Sequence, residues 1–405
     1  MALGEEALKA FWYLTGASAA STLGNTFLFL AVPLALLAHT GDPLVSVLSV
    51  AARTVPYVFA PFLGAFIDRY DRRTMFAGAD VVQAAAVALI PVALWWDVTP
   101  AVFAALILQG LANVVSNVAA DYGLIPALVP AERLDRAMSQ FNTIILVARF
   151  AGPALAGVLV TVSGPSWALF LDAITFLLTA ATVRFMPAMR PPGDRTPLGR
   201  MLREGVAYFR ERPDIVRLTL VVSLYNLGAG ALEPTLLVVG RERWGWSASA
   251  LGVAVSGAAL GAALGAWLSP RALINENRHR QIAVWFALSA AGAVLLMAPS
   301  PYAAAAGFVV LSIGEGGVNT ATVSYRQKQI PPHLAGRVNT IIRGFVTGAV
   351  PVSAFLLGLT AQLGTNLGVF LPVVVSSMIV VPLWLLRNPA RPPTSSPVSA
   401  AEAVT

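Results

Sequence analysis

The chain has 405 residues, of which 57% are hydrophobic and 12% charged, and its mean hydropathy is +0.72. Soluble domains carry about a quarter charged residues, so a composition this apolar argues against a soluble enzyme. The net charge of +7 does not indicate nucleic acid, because the basic residues fall in short clusters between apolar runs, the footprint of membrane topology. There are no cysteines and three histidines (His39, His279, His333), none paired at metal-ligand spacing. With no GxxxxGK[ST] phosphate loop and no GxSxG nucleophile turn, no cofactor, metal or ATP-driven step is expected.

In chain order, Met1 to Lys9 is polar, and the apolar run 10–38 is too long for a signal-peptide core and lacks a small-residue cleavage site. It reads as a first spanning helix. About twenty apolar residues cross a hydrocarbon core of roughly 30 Å. Eleven further segments meet that test: 44–66, 74–96, 100–124, 138–163, 166–187, 214–239, 247–269, 281–299, 301–324, 338–362 and 367–387. Turn chemistry marks the breaks at Gly41-Asp42-Pro43, Gly164-Pro165, Pro299-Ser300-Pro301 and Pro331-Pro332. The expectation is an all-α membrane protein of twelve transmembrane helices in two pseudo-symmetric six-helix bundles.

Arginine and lysine orient it. Clusters fall at Arg69/Arg72/Arg73, Arg133/Arg136, Arg190 through Arg217, Arg271/Arg278/Arg280, Arg326/Lys328/Arg337 and Arg387/Arg391; the alternate loops are nearly bare apart from Arg241 and Arg243. By the positive-inside rule both termini are cytoplasmic, as an even number of spans requires. Residues 1–188 form the first bundle, 189–213 a cytoplasmic linker, 214–388 the second bundle and 389–405 a disordered tail. The linker holds an amphipathic piece (Leu202, Val206, Tyr208, Phe209) expected to lie along the membrane surface.

Shifting the chain against itself by 201 residues aligns Leu63-Gly64-Ala65-Phe66 with Leu264-Gly265-Ala266-Trp267, Arg136 with Arg337, and Gly157 with Gly358. Span number and side are preserved. Internal repeats of this kind occur in secondary transporters with the substrate site between the halves.

Between spans two and three the chain reads Gly64-Ala65-Phe66-Ile67-Asp68-Arg69-Tyr70-Asp71-Arg72-Arg73. A carboxylate at a helix end among guanidinium groups makes a charge cluster able to hold one conformation closed. The second half keeps Gly265 but has Ser269-Pro270-Arg271 in place of the acid. Span five carries Arg149-Phe150-Ala151-Gly152-Pro153-Ala154-Leu155-Ala156-Gly157, where small residues permit close packing and proline a bend. The first segment resembles the G-x-x-x-D-R-x-x-R-R loop signature of the major facilitator superfamily, which implies a cytoplasmic gate of Gly64, Asp68, Arg69, Arg72 and Arg73. The second resembles the GPxxGG antiporter motif of exporters in that superfamily, through Gly152, Pro153 and Gly157, with Ala156 in place of one glycine. Together with Pro126 to Pro130 and Leu171 to Phe176, the chain is similar to the bacterial branch that includes macrolide and siderophore exporters. Gln109-Gly110 match the end of the exporters' Arg-x-x-Gln-Gly motif, but the arginine position is Leu106, so proton handling must use other groups.

Ionisable side chains inside spans are costly and mark function. Asn25, Gln109, Asn113, Asn117, Asn226, Glu233, Glu315 and Asn319 fall on spans one, four, seven and ten, which the resemblance places around a central cavity. Gln109, Asn113 and Asn117 form one helical stripe, expected to line that cavity. Arg53, Arg149 and Arg343 lie within spans two, five and eleven. Glu315, Glu233 and Arg149 are the candidates for proton coupling; Asn25, Arg53, Gln109, Asn113, Asn117, Asn226, Asn319 and Arg343 those for the substrate cavity. Asp80 and Asp121 are assigned to the charge cluster around Asp68 and Arg72. Asp172, placed near the outer end of span six, is assigned to an interfacial or helix-packing role rather than to carrying a proton. Trp95/Trp96 and Trp244/Trp246 read as interfacial belt residues.

The expected function is secondary active export of a small hydrophobic or amphipathic compound, such as a drug or secondary metabolite, driven by protons. The alternatives are siderophore export, uptake by symport, and a non-transporting membrane sensor or scaffold. The expected partners are a small molecule, protons and the lipid bilayer, with no nucleic acid; the expected state is a monomer in the bacterial inner membrane.

Overall fold

The computed structural model describes residues 2–59, 63, 70–119, 129, 131–185, 198–271 and 278–386. These form α1 (Ala2–Thr40), α2 (Pro43–Thr54, continued by a 3-10 turn over Val55–Phe59), α3 (Arg72–Trp95), α4 (Thr99–Ala119), α5 (Ala131–Ser163) and α6 (Pro165–Thr182). A short helix, α7 (Leu198–Glu211), precedes α8 (Pro213–Ala229), α9 (Leu232–Glu242), α10 (Ala248–Leu268), α11 (Arg278–Leu296), α12 (Pro301–Gln329), α13 (Pro332–Ala361) and α14 (Asn366–Leu385). Among the described residues, eleven helices are long and apolar enough to cross a membrane, and Pro43–Phe59 is a shorter apolar helix. Of its expected continuation to residue 66, only Leu63 is among the described residues. α8 and α9 together make one crossing, Pro213–Glu242.

The breaks follow local chemistry. Gly41 has φ 64° and Gly164 φ 83°, a region that L side chains avoid. Next to Gly41, the Asp42 carboxylate accepts from the Leu44 amide at 2.8 Å while Pro43 opens α2 without needing a donor. Ser247, Ser300 and Thr365 cap α10, α12 and α14 in the same way. All of these lie on one face, called here the far face; the basic clusters lie on the other, the arginine-rich face.

α1 packs on α5 and α6, and α3 on α4 and α6; in the second half α11 packs on α12 and α14, and α8 on α13 and α14. The halves meet through α5 against α10, α2 against α13, and α1 against α9. The largest buried apolar cluster crosses between them, with Leu30, Leu34 and Leu37 of α1, Val47 of α2 and Ala156 of α5 joined to Leu236 and Val239 of α9, Leu251 of α10 and Leu357 of α13. Its members lie in the far-face half of the molecule. Towards the arginine-rich face the clusters do not cross: one is built on Phe11, Leu14, Phe76 and Ala137, another on Tyr225, Phe286 and Trp384. Among the described residues, the two halves are sealed at the far face and separate towards the arginine-rich face.

One expectation changes, and two regions gain detail. Span seven, read as one run 214–239, is broken: α8 ends at Ala229 and α9 restarts at Leu232. A Cβ on Gly230 would crowd the Asn226 carbonyl and Val350, and the Ala231 amide, without a helical partner, donates to Ser353 Oγ of α13 at 3.0 Å. The linker helix α7 is clamped to the second half. Tyr208 Oη donates to the Gln329 carbonyl at 2.9 Å; Arg212 grips Asp214 through Nε (2.9 Å) and Nη2 (2.7 Å) and reaches Gln329 Oε1 at 2.7 Å. That bidentate grip raises the Arg212 pKa above its ordinary value. Finally, Ser269, which stands where the first half has its gate acid, is buried and donates to the Gly317 carbonyl at 3.1 Å, so this end of α10 is a packing contact.

Candidate functional site

The antiporter-like segment of α5 lies on the seam. A Cβ at Gly157 would overlap the Ala248 carbonyl of α10; reciprocally, one at Gly252 of α10 would overlap the Pro153 carbonyl and come within 3.1 Å of Gly157 Cα. The Ala154 amide donates to Ser256 Oγ at 3.0 Å, and the Thr161 and Ser249 hydroxyls meet at 2.8 Å. Gly152 turns the other way, against Thr26 of α1. Gly358, the counterpart of Gly157 in the repeat, packs on Leu44 of α2. Each half thus lays the corresponding glycine against the other half's second span.

Of the gate motif, Gly64, Asp68 and Arg69 lie outside the described residues, as does Asp121. Arg72 opens α3, and the Arg73 amide is capped by Asp71 Oδ1 at 2.9 Å.

In the first half Arg53 donates through Nη2 to Asn25 Oδ1 at 2.5 Å, joining α2 to α1. Both side chains are half-buried. The α4 stripe behaves differently from the expectation. Gln109 is fully buried and donates to Gln83 Oε1 of α3 at 3.0 Å; Asn113 donates to the same oxygen at 3.0 Å and accepts from Tyr57 Oη at 2.7 Å. Asn117 is exposed and donates to Asn113 Oδ1 at 3.0 Å. Gln109 therefore joins two helices, and only the Asn117 end of the stripe reaches open space. Gln83 Nε2 and Ser116 Oγ both donate to Asp80 Oδ1, at 2.9 and 2.7 Å. Asp80 is buried inside the bundle, and its bonded partners lie on α3 and α4 rather than in the loop charge cluster.

Asp172 is also corrected. It lies seven residues past Pro165, roughly 10 Å along α6 at 1.5 Å per residue, and has no solvent exposure. Its Oδ2 has no hydrogen-bond partner. Arg53 is the neighbouring charge to which it is coupled. Asp80, Gln83 and Asp172 form the buried polar interior of this bundle, and sequence reading missed their roles. Their depth along a helix is legible, but the face they present is set by packing; Gly24 opposite Asp172 was the signal available, since a Cβ there would overlap the carboxylate.

In the second half Glu233 sits in the first turn of α9, just after the break, and Glu315 on α12 is its electrostatic neighbour. Gly314, Gly316 and Gly317 press α12 against α10 and α11, so Glu315 and Asn319 project from the opposite face of the helix, where both are exposed. Asn226, half-buried, bonds to the Val222 carbonyl at 3.0 Å. Arg149 and Arg343 are exposed, the latter beside Arg326. The two carboxylates and Asn226, Asn319 and Arg343 come from the second half; Asn25, Arg53, Asn117 and Arg149 from the first. Trp95 and Trp96 are exposed at the far-face end of α3, while Trp244 and Trp246 pack on each other with ring centroids 5.0 Å apart.

Two helical bundles joined at one face and, among the described residues, parted at the other have the architecture of an alternating-access membrane transporter. The chain belongs to the Major Facilitator Superfamily, whose family model matches residues 14–348; it is a multi-pass secondary transporter and not an enzyme. It is 27% identical over 404 residues to an uncharacterized MFS-type transporter, y4rN, of Sinorhizobium fredii, covering 96% of each chain. It is 23% identical over 373 residues to macrolide efflux protein A of Streptococcus pyogenes (88% of this chain, 90% of the relative). With the multidrug efflux pump Tap of Mycobacterium tuberculosis the identity is 24% over 387 residues (90% and 91%). Among solved structures, a bacterial homologue of the iron transporter ferroportin in the inward-facing state matches with a TM-score of 0.74 at 15% identity, covering 94% of this chain and 98% of that one.

Proposed function

We propose that this protein exports small hydrophobic or amphipathic compounds from the bacterial cytoplasm across the plasma membrane, driven by protons moving inward. The observation that carries this reading is the α5–α10 seam. The segment resembling the exporters' antiporter motif, Gly152-Pro153 to Gly157, forms the contact between halves that must part and re-form in each cycle. Distant relatives named as macrolide and multidrug efflux pumps support the direction and the substrate class. With the arginine-rich face read as cytoplasmic, the termini and the parting of the halves fall on the cytoplasmic side, and the conformation is read as inward-facing. Arg53, Asn25, Asn117 and Arg149 on one wall and Glu233, Glu315, Asn226, Asn319 and Arg343 on the other offer a substrate opposite charges across an otherwise apolar space. By its place between the second and third spans, the gate motif of Gly64, Asp68, Arg69, Arg72 and Arg73 falls on the side read as cytoplasmic.

The test uses proteoliposomes with a trapped pH-sensitive dye and a panel of macrolides, lipophilic cations and siderophores. Compound-evoked proton movement is expected with at least one macrolide or lipophilic cation, and it is expected to weaken in Glu315→Gln. A response confined to siderophores favours that alternative, and silence across the panel sinks proton-driven efflux of these classes.

A further inference from the structure

The buried carboxyl of Asp172 has no role in packing that an apolar side chain would not fill better. Its Oδ2 meets no donor at all. Its Oδ1 has Thr175 Oγ1 at 3.4 Å, but that hydroxyl has one proton, and the Asp172 carbonyl takes it at 2.7 Å. An ionised carboxylate with no solvent and no donor is among the least tolerable groups in a protein interior; a neutral acid is not. The nearest counter-charge is Arg53. Its guanidinium is not within ion-pair distance of Asp172 among the described pairs, because Asn25 holds it at 2.5 Å.

The two interactions share one turn of α1. Gly24 lets the Asp172 carboxyl lie against the helix, since a Cβ there would overlap Oδ1, and the next residue, Asn25, takes the arginine. Arg53 is half-buried and Asp172 fully buried, so the guanidinium is the more solvent-accessible member of the pair. Its backbone is fixed, with its carbonyl against Gly110 of α4, and the side chain is the part free to move. α2, which carries Arg53, also packs across the halves: Leu44 lies on Gly358 and Val58 on Gly348 of α13.

Other charges do not serve. α6 is packed by α1, α3 and α5. α1 carries its charges near its ends (Glu5, Glu6, Lys9, His39). α3 has Arg72, Arg73 and Asp80, the last bonded to Ser116 and Gln83; α5 has Arg149, exposed, and a charged first turn and a half (Glu132, Arg133, Asp135, Arg136). Arg53 is the one cation coupled to Asp172.

We propose that Asp172 is a proton carrier of the transport cycle, holding its proton in the inward-facing conformation while Arg53 rests on Asn25, and that proton release swings Arg53 from Asn25 to Asp172. The O–H bond of Asp172 breaks, the proton passes to water in the cleft, and the guanidinium neutralises the carboxylate left behind. This rests on the reading of the protein as a proton-driven exporter. It moves the primary proton site from the cleft carboxylate Glu315 to the interior of the first half.

The chain has no cysteine, so spin labels go in without background. Trp96→Cys and Leu367→Cys, on exposed residues at the far-face ends of α3 and α14, report the distance between the halves in nanodiscs by pulsed electron resonance from about pH 5 to about pH 9. The expected result is a short distance at low pH that lengthens as pH rises, because protonated Asp172 favours the sealed far face. Asp172→Asn, which mimics the protonated acid, is expected to hold the short distance throughout. Asn25→Ala, which frees Arg53 to pair with the carboxylate, is expected to lower the midpoint by about one pH unit, a shift that a merely structural Asp172 would not produce. An Asp172→Asn protein, monodisperse and labelled, that keeps the pH response overturns the proposal, as does a labelled wild type with no response. Dye measurements on the same variants separate the two readings. Compound-evoked proton movement that survives in Asp172→Asn defeats this site but leaves proton-driven efflux standing; its absence in wild type defeats the parent reading.

Discussion

The two halves share a fold but hold themselves together differently. The first half keeps a polar interior: Asp80, Gln83, Gln109 and Ser116 bonded across α3 and α4, with Asp172 behind α1. The second half is joined by backbone contact. Gly265 of α10 and Gly316 of α12 let α10 and α12 touch where a Cβ on either would overlap a carbonyl of the other helix, and Gly292 and Gly307 do the same for α11 and α12. Close backbone packing stiffens a bundle, because it has one arrangement. A buried polar network has alternatives, since protons and side chains can move within it. The comparison teaches where chemistry and rigidity are placed: the half that hosts a titrating interior is also the one whose helix–helix contacts are made by movable groups.

Substitutions separate these cases. The largest effect is expected at Gly316→Ala, where the new methyl meets the Ala262 carbonyl and both helices must part; a loss of about 3 kcal/mol, read as a fall in the thermal unfolding midpoint in detergent, is expected. A midpoint unchanged there would mean that α10 and α12 are looser than their glycines imply. Next comes Gln83→Leu, which strands the donors of Gln109 and Asn113 and should cost about 2 kcal/mol. Because the network is shared, pairing it with Gln109→Leu should restore part of that loss, and strict additivity in the double variant would break the idea of a connected interior. At the seam, Gly157→Ala and Gly252→Ala push on the same space, so a double-mutant cycle should give a coupling of about 1 kcal/mol; uncoupled effects would place the two glycines apart. The smallest effect is a gain. Gly78 in α3 has open space around its Cα, and Gly78→Ala should add about 0.5–1 kcal/mol through helix propensity. Its contrast with Gly316 separates a glycine with open space beside it from one at a helix contact.

Much of the fold was legible in the sequence. The starts of α2, α10, α12 and α14 are written in Asp42, Ser247, Ser300 and Thr365, and the repeat pairs Gly157 with Gly358, which the structure places in corresponding seams. The break in span seven was not read, because Gly228, Gly230 and Glu233 lie inside an apolar run whose mean hydropathy hides them; Pro234 just after an acid was the available sign. The candidate site was legible in part. Glu233, Glu315, Asn226, Asn319, Arg53 and Asn25 were singled out by depth alone, as polar groups midway along spans one, two, seven and ten. Gln109 and Asp172 could not. Hydropathy gives the height of a residue in the membrane, whereas which neighbour it faces depends on helix rotation and crossing. These are set by distant small residues such as Gly24.

The clamp of α7 onto the second half has a mechanical meaning. Because Tyr208 and Arg212 tie that segment to Gln329 and Asp214, the covalent link from the first bundle to the clamped helix runs only from Phe185 to Leu198. Covalent geometry limits such a stretch to roughly 40 Å, so one half can never drift far from its mate. A leash of that order keeps each bundle at an effective concentration on the order of millimolar with respect to the other. The seam between them need not be strong to re-form after every opening, and small glycine and serine contacts that a free dimer would lose are sufficient here.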